Sequence, residues 1–334
     1  MNSKKDLPTI SIITPTLNNE KIIEKFLLSL CSQDYPKKKL EIVIVDGGSK
    51  DNTLLICRKY KTVIINNPKV LAEPGVTLGM QKASGDILII LATDNIFLNK
   101  SALSIISKVY DNKNIFAAFP KHASTRKDTL FTKYINIFTD PFNHFVYGNA
   151  ANARTFNKIY KTILHNPIYD IYDFNSSKII PVLAFAQGFS VRKEFVKVRK
   201  DVMDDMEPVI DIIKSKKYIA FIHSLNLYHH TVQSASQYFK KQRWAVRNAL
   251  QGRDYGINKR ANRLTEWQRA KYYLFPFYSF SLIIPILRSF FGVFQDKELI
   301  WLFHPVITFI TAMAIVLEFA KMRMGTIQKD IFRQ

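Results

Sequence analysis

The stretch GDILIILATDNIF, residues 85–97, carries an apolar run straight into Asp94 and Asn95, with Ala92 two residues before the carboxylate. A strand ending in paired acidic residues is one way for an α/β fold to hold a dication against a diphosphate, because a hard cation takes carboxylate and phosphate oxygens together. Here a single carboxylate stands where a pair would do that, and an ordinary Asp/Asn turn accounts for the same residues. Two more polar turns follow apolar runs: TPTLNNE at 14–20 and DGGSKDNT at 46–53. Farther along, Asp204 and Asp205 form an acidic pair, and His229 and His230 close another apolar run.

The elements that must position these groups read clearly in the first half of the chain. TISIITPT, LEIVIVDGG, KTVIINN and DILIILATD have strand length and composition. Between the first two, EKIIEKFLLSLCSQ places Ile22, Ile23, Phe26, Leu27 and Leu30 on one helical face. Strand, helix, strand in this order predicts a mostly parallel, Rossmann-like sheet with helices on both faces. Ligands of such sheets lie beyond the carboxyl ends of the strands, which is where TPTLNNE, DGGSKDNT and ATDN fall.

Composition limits the partners. Against 27 Asp and Glu stand 48 Lys and Arg, a formal charge of +21. This balance favours an anionic partner: nucleotide phosphates, acidic lipid headgroups or nucleic acid. Cys31 and Cys57 make no disulfide framework and suit a reducing compartment. The apolar run at the N-terminus is too short for a signal peptide, so the first domain is expected in the cytoplasm.

After residue 235 the pattern changes. Residues 236–271 are basic and helical in pattern, with Tyr238, Phe239, Trp244 and Trp267 among the cations, as in a segment lying on an anionic membrane surface. Tyr272–Phe294 is apolar except for Arg288, and Leu299–Leu317 carries no charge. Each is near the ~20 residues that cross a bilayer core. With only QDKE between them, they read as a transmembrane hairpin, and the flanking Lys and Arg put both ends in the cytoplasm. Arg288 would snorkel at the outer end. A buried core hairpin or a re-entrant pair stays open, because Pro276, Pro285 and Pro305 interrupt the runs. The hairpin argues against nucleic acid as the partner of the basic stripe.

Taken together, SIITPTLNNEKIIEKFLLSLCSQDYPKKKLEIVIVDGGSKDNT resembles the N-terminal signature of the inverting family 2 glycosyltransferases, which have the GT-A fold. The resemblance extends over roughly residues 1–245. It implies that Pro15, Thr16, Asn18 and Glu20 line the base and ribose pocket, together with Asp46, Gly47 and Gly48 of the next turn. A carboxylate at a strand end can accept from the N–H of a uracil or guanine ring, and glycines let the chain approach the ligand. In GVTLGMQKASGDILIILATDN, Gly79, Ala83, Gly85 and Asp86 keep the family frame. Val76 and Thr77 replace its usual Arg-Asn, and Ala92 replaces the first Asp of its Asp-x-Asp. Asp94 then matches the position that touches the divalent metal, Mn²⁺ or Mg²⁺, and one carboxylate can suffice when water and phosphate complete the shell.

The acceptor half resembles the family less closely. Asp205 matches its general base and Asp204 the neighbouring acid, although helix N-terminal acids favoured by the dipole would look the same. His229 matches a histidine at the end of the last strand that can join the metal or the diphosphate; a structural histidine is the other reading. KKQRW at 240–244 is similar to the end of the Gln-x-x-Arg-Trp motif of processive synthases, with Lys240 for Gln. Arg243 and Trp244 are therefore acceptor-site candidates, or interfacial anchors. The aromatic-rich residues 131–185 match no motif and suit either a lipid-facing wall or a local core.

The expected organisation is a GT-A catalytic domain over 1–235, with a nucleotide-sugar half at 1–100 and an acceptor half at 101–235. A basic interfacial segment (236–271), the two-helix hairpin (272–321) and a cytoplasmic tail (322–334) follow. The expected activity is transfer of a sugar from a nucleotide diphosphate sugar to a lipid-linked or surface-glycan acceptor at a membrane. A polyprenyl-phosphate sugar synthase and a non-catalytic membrane scaffold of the same fold are the alternatives.

Overall fold

The computed structural model of the protein describes residues 6–181, 188–196, 207–250 and 262–325. They form two compact units. The first comprises the described residues within Met1–His122, Ile159–Ser177 and Phe185–Tyr228, the second those within Ala123–Lys158, Lys178–Ala184 and His229–Gln334.

The first unit is built on one sheet. Strands β1 (Ile10–Thr16), β2 (Leu40–Asp46), β3 (Val63–Asn66) and β4 (Ile87–Ile90) are its parallel part. Helices α1 (Ile23–Cys31), α2 (Thr53–Lys59) and α3 (Ala72–Lys82) make the crossovers, followed by β5 (Asn95–Ile96) and α4 (Ala102–Val109). Ile12, Ile13, Val43, Ile44 and Val45 are all fully buried, as β1 and β2 must be when both sheet faces are covered. On α1 the expected face is buried at Ile23, Phe26, Leu27 and Leu30, whereas Ile22 is the exposed N-cap residue.

Beyond β4 the sheet turns antiparallel. With β6 (Ile115–Ala123), β7 (Lys161–His165), β8 (Asp170–Asp173), β9 (Phe189–Arg192) and β10 (Tyr218–His229), the order is β3-β2-β1-β4-β9-β6-β10-β8-β7, and β5 pairs with β10. Helix α7 (Glu207–Lys214) precedes β10. This is the α/β, GT-A-like sheet expected, parallel where the polar turns gather and antiparallel beyond. In-register pairing of β1 with β2 sets Pro15 beside Val45 and Thr16 beside Asp46. Strand β4 stops at Ile90, so ATDN is a separate turn closed by the Asn95 amide donating to the Ala92 carbonyl at 3.0 Å.

The second unit is helical: α5 (Leu130–Phe138), α6 (Pro141–Tyr147), α8 (Ala235–Leu250), α9 (Glu266–Phe280), α10 (Ile283–Asp296) and α11 (His304–Arg323). Side chains cap four of the N-termini: Thr129 on α5, Asp140 on α6, Ser234 on α8 and a Thr265/Gln268 capping box on α9. Tyr134, Phe138, Tyr238, Trp301 and Ile307 form its core. Residues 131–147 therefore build local core within this unit, one of the two readings open for the aromatic-rich stretch.

Three features of this unit bear on the expected hairpin and interfacial segment. The first apolar run is not one straight helix: α9 and α10 meet at 98°, where Leu282 has φ 55°. At ~1.5 Å per residue each half is about 22 Å long, short of a ~30 Å hydrocarbon core. Tyr238, expected at headgroup depth, is fully buried and hydrogen-bonded to Thr311 Oγ1 at 2.6 Å. Arg288 does not snorkel outward; its guanidinium lies 4.4 Å from the Trp301 ring centroid. Residues 299–323 are long and apolar enough to cross a membrane by length and composition.

One close approach tests the sheet half. A Cβ on Gly79 of α3 would overlap Ile13 Cγ2 of β1 and stand 3.2 Å from Val45 Cγ2. Gly79→Ala, although favourable to an isolated helix, is expected to destabilise the protein by about 1–3 kcal/mol. Urea unfolding at unchanged m value measures this; equal or raised stability would show that α3 sits farther from β1.

Candidate active site

At the carboxyl edge of the parallel strands, backbone amides leave the ladder and need other acceptors. The loops after β1 and β2 supply them to each other. Asn18 sits at φ 51°, a left-handed conformation that Asn tolerates, and its Oδ1 accepts from the Lys50 amide at 2.8 Å. In return, the Asn18 amide donates to Ser49 Oγ at 2.9 Å. The Glu20 amide donates to Asp51 Oδ2 at 3.0 Å, while Glu20 Oε2 accepts from the Asn52 amide and Asn52 Nδ2 at 3.1 and 3.0 Å. Thr53 Oγ1 donates to Asp51 Oδ1 and accepts from the Asn19 amide at 2.7 Å.

Asp46 closes its own turn. Its Oδ2 accepts from the Gly48 and Ser49 amides, each at 2.9 Å, and its Oδ1 from Ser49 Oγ at 2.5 Å. A carboxylate offers about four acceptor positions, so the three bonds of this turn leave room for one more donor. Gly48 has φ 95°, which a side chain would strain, and a Cβ on Gly47 would meet the Val70 carbonyl at 2.9 Å. Val70 itself holds φ 66°, rare for a β-branched residue, so strain is stored against this turn.

The third turn is tied to the first: Thr93 Oγ1 donates to Asn19 Oδ1 at 3.3 Å, and Asn19 Nδ2 donates to Thr16 Oγ1 at 2.9 Å. The structure thus brings together Thr16, Asn18, Glu20, Asp46, Gly47, Gly48 and the turn that bears Asp94, with Pro15 beside Gly75 of α3. Asp94 is half-buried and Ala92 exposed. One carboxylate at a strand-end turn suits a hard dication that keeps waters and takes diphosphate oxygens, and does not suit a closed, all-protein cage. Val76 and Thr77, in place of Arg-Asn, are buried in α3.

The other expected residues lie elsewhere. Asp204 and Asp205 are outside the described residues. His229 belongs to the second unit, where its Nδ1 lies 2.9 Å from Asn136 Oδ1. Asn136 Nδ2 donates to the Ala123 and His229 carbonyls, so Oδ1 is the acceptor and His229 carries its proton on Nδ1. His230 Nδ1 pairs with Asp128 Oδ1 at 2.7 Å. Burial would raise the Asp128 carboxyl, but hydrogen bonds from His230 and Thr125 hold it below the usual range. Arg243 is ion-paired to Glu318, which Arg247 also approaches at 3.6 Å, so Arg243 serves the packing of α8 on α11.

Sequence reasoning missed the orienting partners Asn136 and Asp128, which lie 93 and 102 residues from their histidines. It also missed a trio on the far flank of the sheet. His165, Asp170 and His223 have ligand atoms within 4.8 Å of one another. The HNPIYD turn pairs His165 with Asp170 across β7 and β8, and His223 comes from β10. Two histidines and a carboxylate are a donor set for a transition metal, separate from Asp94. The spacing of His165 and Asp170 around Asn166-Pro167 was the available signal.

Residues 11–176 match the model of the family described as Glycosyl transferase family 2. The chain is 35% identical over 94 residues to glycosyltransferase AglE of Haloferax volcanii, covering 26% of this chain and 31% of the relative. It is 40% identical over 88 residues to "Dolichyl N-acetyl-alpha-D-glucosaminyl phosphate 3-beta-D-2,3-diacetamido-2,3-dideoxy-beta-D-glucuronosyltransferase" of Methanococcus voltae, covering 24% of this chain and 27% of that one. The matched stretches thus span less than a third of either relative. Among solved structures, the mannosyltransferase PcManGT of Pyrobaculum calidifontis, in complex with GDP-Man and Mn²⁺, superposes with a TM-score of 0.54 at 13% identity, over 94% of this chain and 88% of that one. That likeness shows the fold.

Asp51 gives the clasp between the loops a pH signature. Burial alone would raise its carboxyl, but hydrogen bonds from the Thr53 side chain and the Glu20 amide hold it below its usual 3.8. A carboxyl depressed by folding contributes stability that is fully present above its unfolded value and lost as pH falls through its folded one. Asp51→Asn is therefore expected to destabilise at neutral pH, with the difference from wild type shrinking below 3.8. A pH-independent difference in urea midpoints would detach this carboxylate from the clasp.

Proposed function

We propose that this chain, whose residues 11–176 match the glycosyl transferase family 2 model, is a glycosyltransferase that moves a sugar, with inversion, from a nucleotide diphosphate sugar to a lipid-linked or glycan acceptor at the cytoplasmic face of a membrane. The observation that carries this reading is the interlocked edge formed by Asn18, Glu20, Asp46 and Asp51, with the Asp94 turn tied to it through Asn19. It is a polar, pre-shaped ledge at the carboxyl ends of parallel strands, where such sheets bind nucleotides. The lipid-linked acceptor is supported by the name of the Methanococcus voltae relative, and the nucleotide sugar and Mn²⁺ by the Pyrobaculum complex.

In this reading the remaining acceptor position on Asp46 takes the ring N–H of the base, while Gly47 and Gly48 leave space for the nucleoside. Asp205 accepts the proton of the acceptor hydroxyl as its oxygen bonds to the anomeric carbon and the diphosphate departs from the opposite face. A divalent cation held by Asp94 would offset the charge that develops on the leaving diphosphate. His229, with its proton fixed on Nδ1, is a further candidate for that ion or the diphosphate. Because Arg243 is committed to Glu318, Trp244 is the stronger candidate for stacking on the acceptor sugar. A polyprenyl-phosphate acceptor, already an anion, would need no base. Full activity in Asp205→Asn would favour that synthase over the alcohol-acceptor enzyme.

The test is a thermal-shift series with nucleoside diphosphates, with and without Mn²⁺. A ligand at about a hundredfold excess over its Kd adds about 2.7 kcal/mol of apparent stability. Asp46→Ala should weaken every nucleotide response, whereas Asp94→Ala should remove only the Mn²⁺-dependent part. If no nucleotide raises the wild-type midpoint, the scaffold reading replaces the enzyme; if Asp94→Ala keeps the full Mn²⁺ response, Asp94 is a turn residue.

A further inference from the structure

The second unit combines features that a membrane-crossing hairpin cannot hold together. Helices α9 and α10 expose a nearly uncharged aromatic face, with Tyr273 and Phe277 each 76% exposed, Phe291 70% and Phe294 81%. Such a surface on a single chain marks contact with lipid or protein. Arg269 and Lys297, on the same segment, are exposed cations available to anionic headgroups. The two helices meet at 98°, so they do not form one straight span.

The loop between α10 and α11, which a hairpin would place across the bilayer, is anchored instead to residues from early in the chain. Lys158 Nζ donates to Asp296 Oδ1 at 2.8 Å, and Asp296 Oδ2 accepts from Trp301 Nε1 at 2.9 Å. Lys158 is three residues before β7 of the catalytic sheet. It cannot reach across a ~30 Å core while its own chain returns to that sheet. Helix α6, which falls between β6 and β7 in the sequence, sets Phe142 edge-on to Tyr272 (4.7 Å) and stacks Phe145 on Tyr278 (4.5 Å).

Helix α11 has the length of a span but not the company of one. Along its inner side run contacts with α8: Thr311 with Tyr238, and Glu318 with Arg243 and Arg247. Crossing the membrane would carry α8 with it, including Lys240 and Lys241, and cations at bilayer depth are costly. The outer side of α11 shows Val306, Phe309, Met313 and Val316, an apolar stripe at helical spacing.

We propose that this unit is monotopic: the exposed apolar faces of α9, α10 and α11 sink into one leaflet of an anionic membrane, and residues 295–298 stay on the side of the catalytic sheet. The proposal rests on the membrane association argued above but not on sugar transfer. Its geometry is that of an interfacial anchor, with the apolar side in the acyl region and cations at headgroup level.

The test uses the full-length protein in cell membranes, in a Cys31→Ser, Cys57→Ala background. Gln295→Cys and, as the catalytic-side marker, Asp6→Cys are labelled with a membrane-impermeant maleimide before and after lysis. Monotopic insertion predicts that both become reactive under the same condition. Reaction of Gln295→Cys from the side opposite Asp6→Cys overturns it, as does protection of Gln295→Cys until detergent is added. On vesicles with an anionic lipid, Phe277→Asp/Phe291→Asp should lose at least tenfold in binding with its nucleotide response intact. Unchanged flotation of that variant counts against the lipid-facing surface, whereas a lost nucleotide response in both proteins bears only on the transfer reaction.

Discussion

The amides that leave a parallel sheet at its carboxyl edge must be satisfied, and in this protein that requirement is met by the side chains a nucleotide would also use. Glu20, Asp46 and Asp51 each accept two or more backbone or side-chain donors from the loops after β1 and β2. The ledge is therefore ordered before a ligand arrives, and a base would add one donor to an existing network. Such preorganisation lowers the cost of ordering the site on binding. It also means that removing any one carboxylate disturbs several amides, so its effect on affinity is not the loss of a single contact.

Much of this edge was legible in the sequence because its cause is local. An apolar run of strand length followed by Asp-Gly-Gly-Ser admits few conformations, and Gly48 at φ 95° is what that turn requires. Asn18 in a left-handed conformation is equally local. The reciprocal bonds between residues 18–20 and 49–53 were not legible, since which loop satisfies which depends on the β1–β2 register. The same holds for His229 and His230: their place at a strand end shows in the sequence, while Asn136 and Asp128, which orient them, come from a distant segment.

The C-terminal helices were less legible for a different reason. Hydropathy reports how apolar a segment is but not what covers it, and in α11 one side is covered by a charged helix. Glu318 is almost fully buried, a placement whose desolvation cost is offset only by close cations, and Arg243 and Arg247 provide them. Charges that looked like a headgroup-binding stripe are thus partly an internal pairing device. Gly292 has a comparable role in α10: any Cβ there would overlap the Trp301 ring, on which Arg288 stacks from the same helix. The burial of Trp301 follows from this packing, which no windowed average detects.

The single carboxylate at the ATDN turn fits the same economy of ligands. A dication held by Asp94 alone would take most of its shell from water and from the diphosphate, so its affinity would depend on the nucleotide being present. The loop clasp and the ATDN turn are joined by hydrogen bonds, because Asn19 holds Thr93 on one side and Thr16 and Thr53 on the other. Order therefore passes from the loop clasp to the turn that bears Asp94. Ala92 is exposed where a second carboxylate would stand. If Asp94 holds the metal, its position depends in part on the hydrogen bond of Asn19 to Thr93, and a change at Asn19 should be felt at the diphosphate.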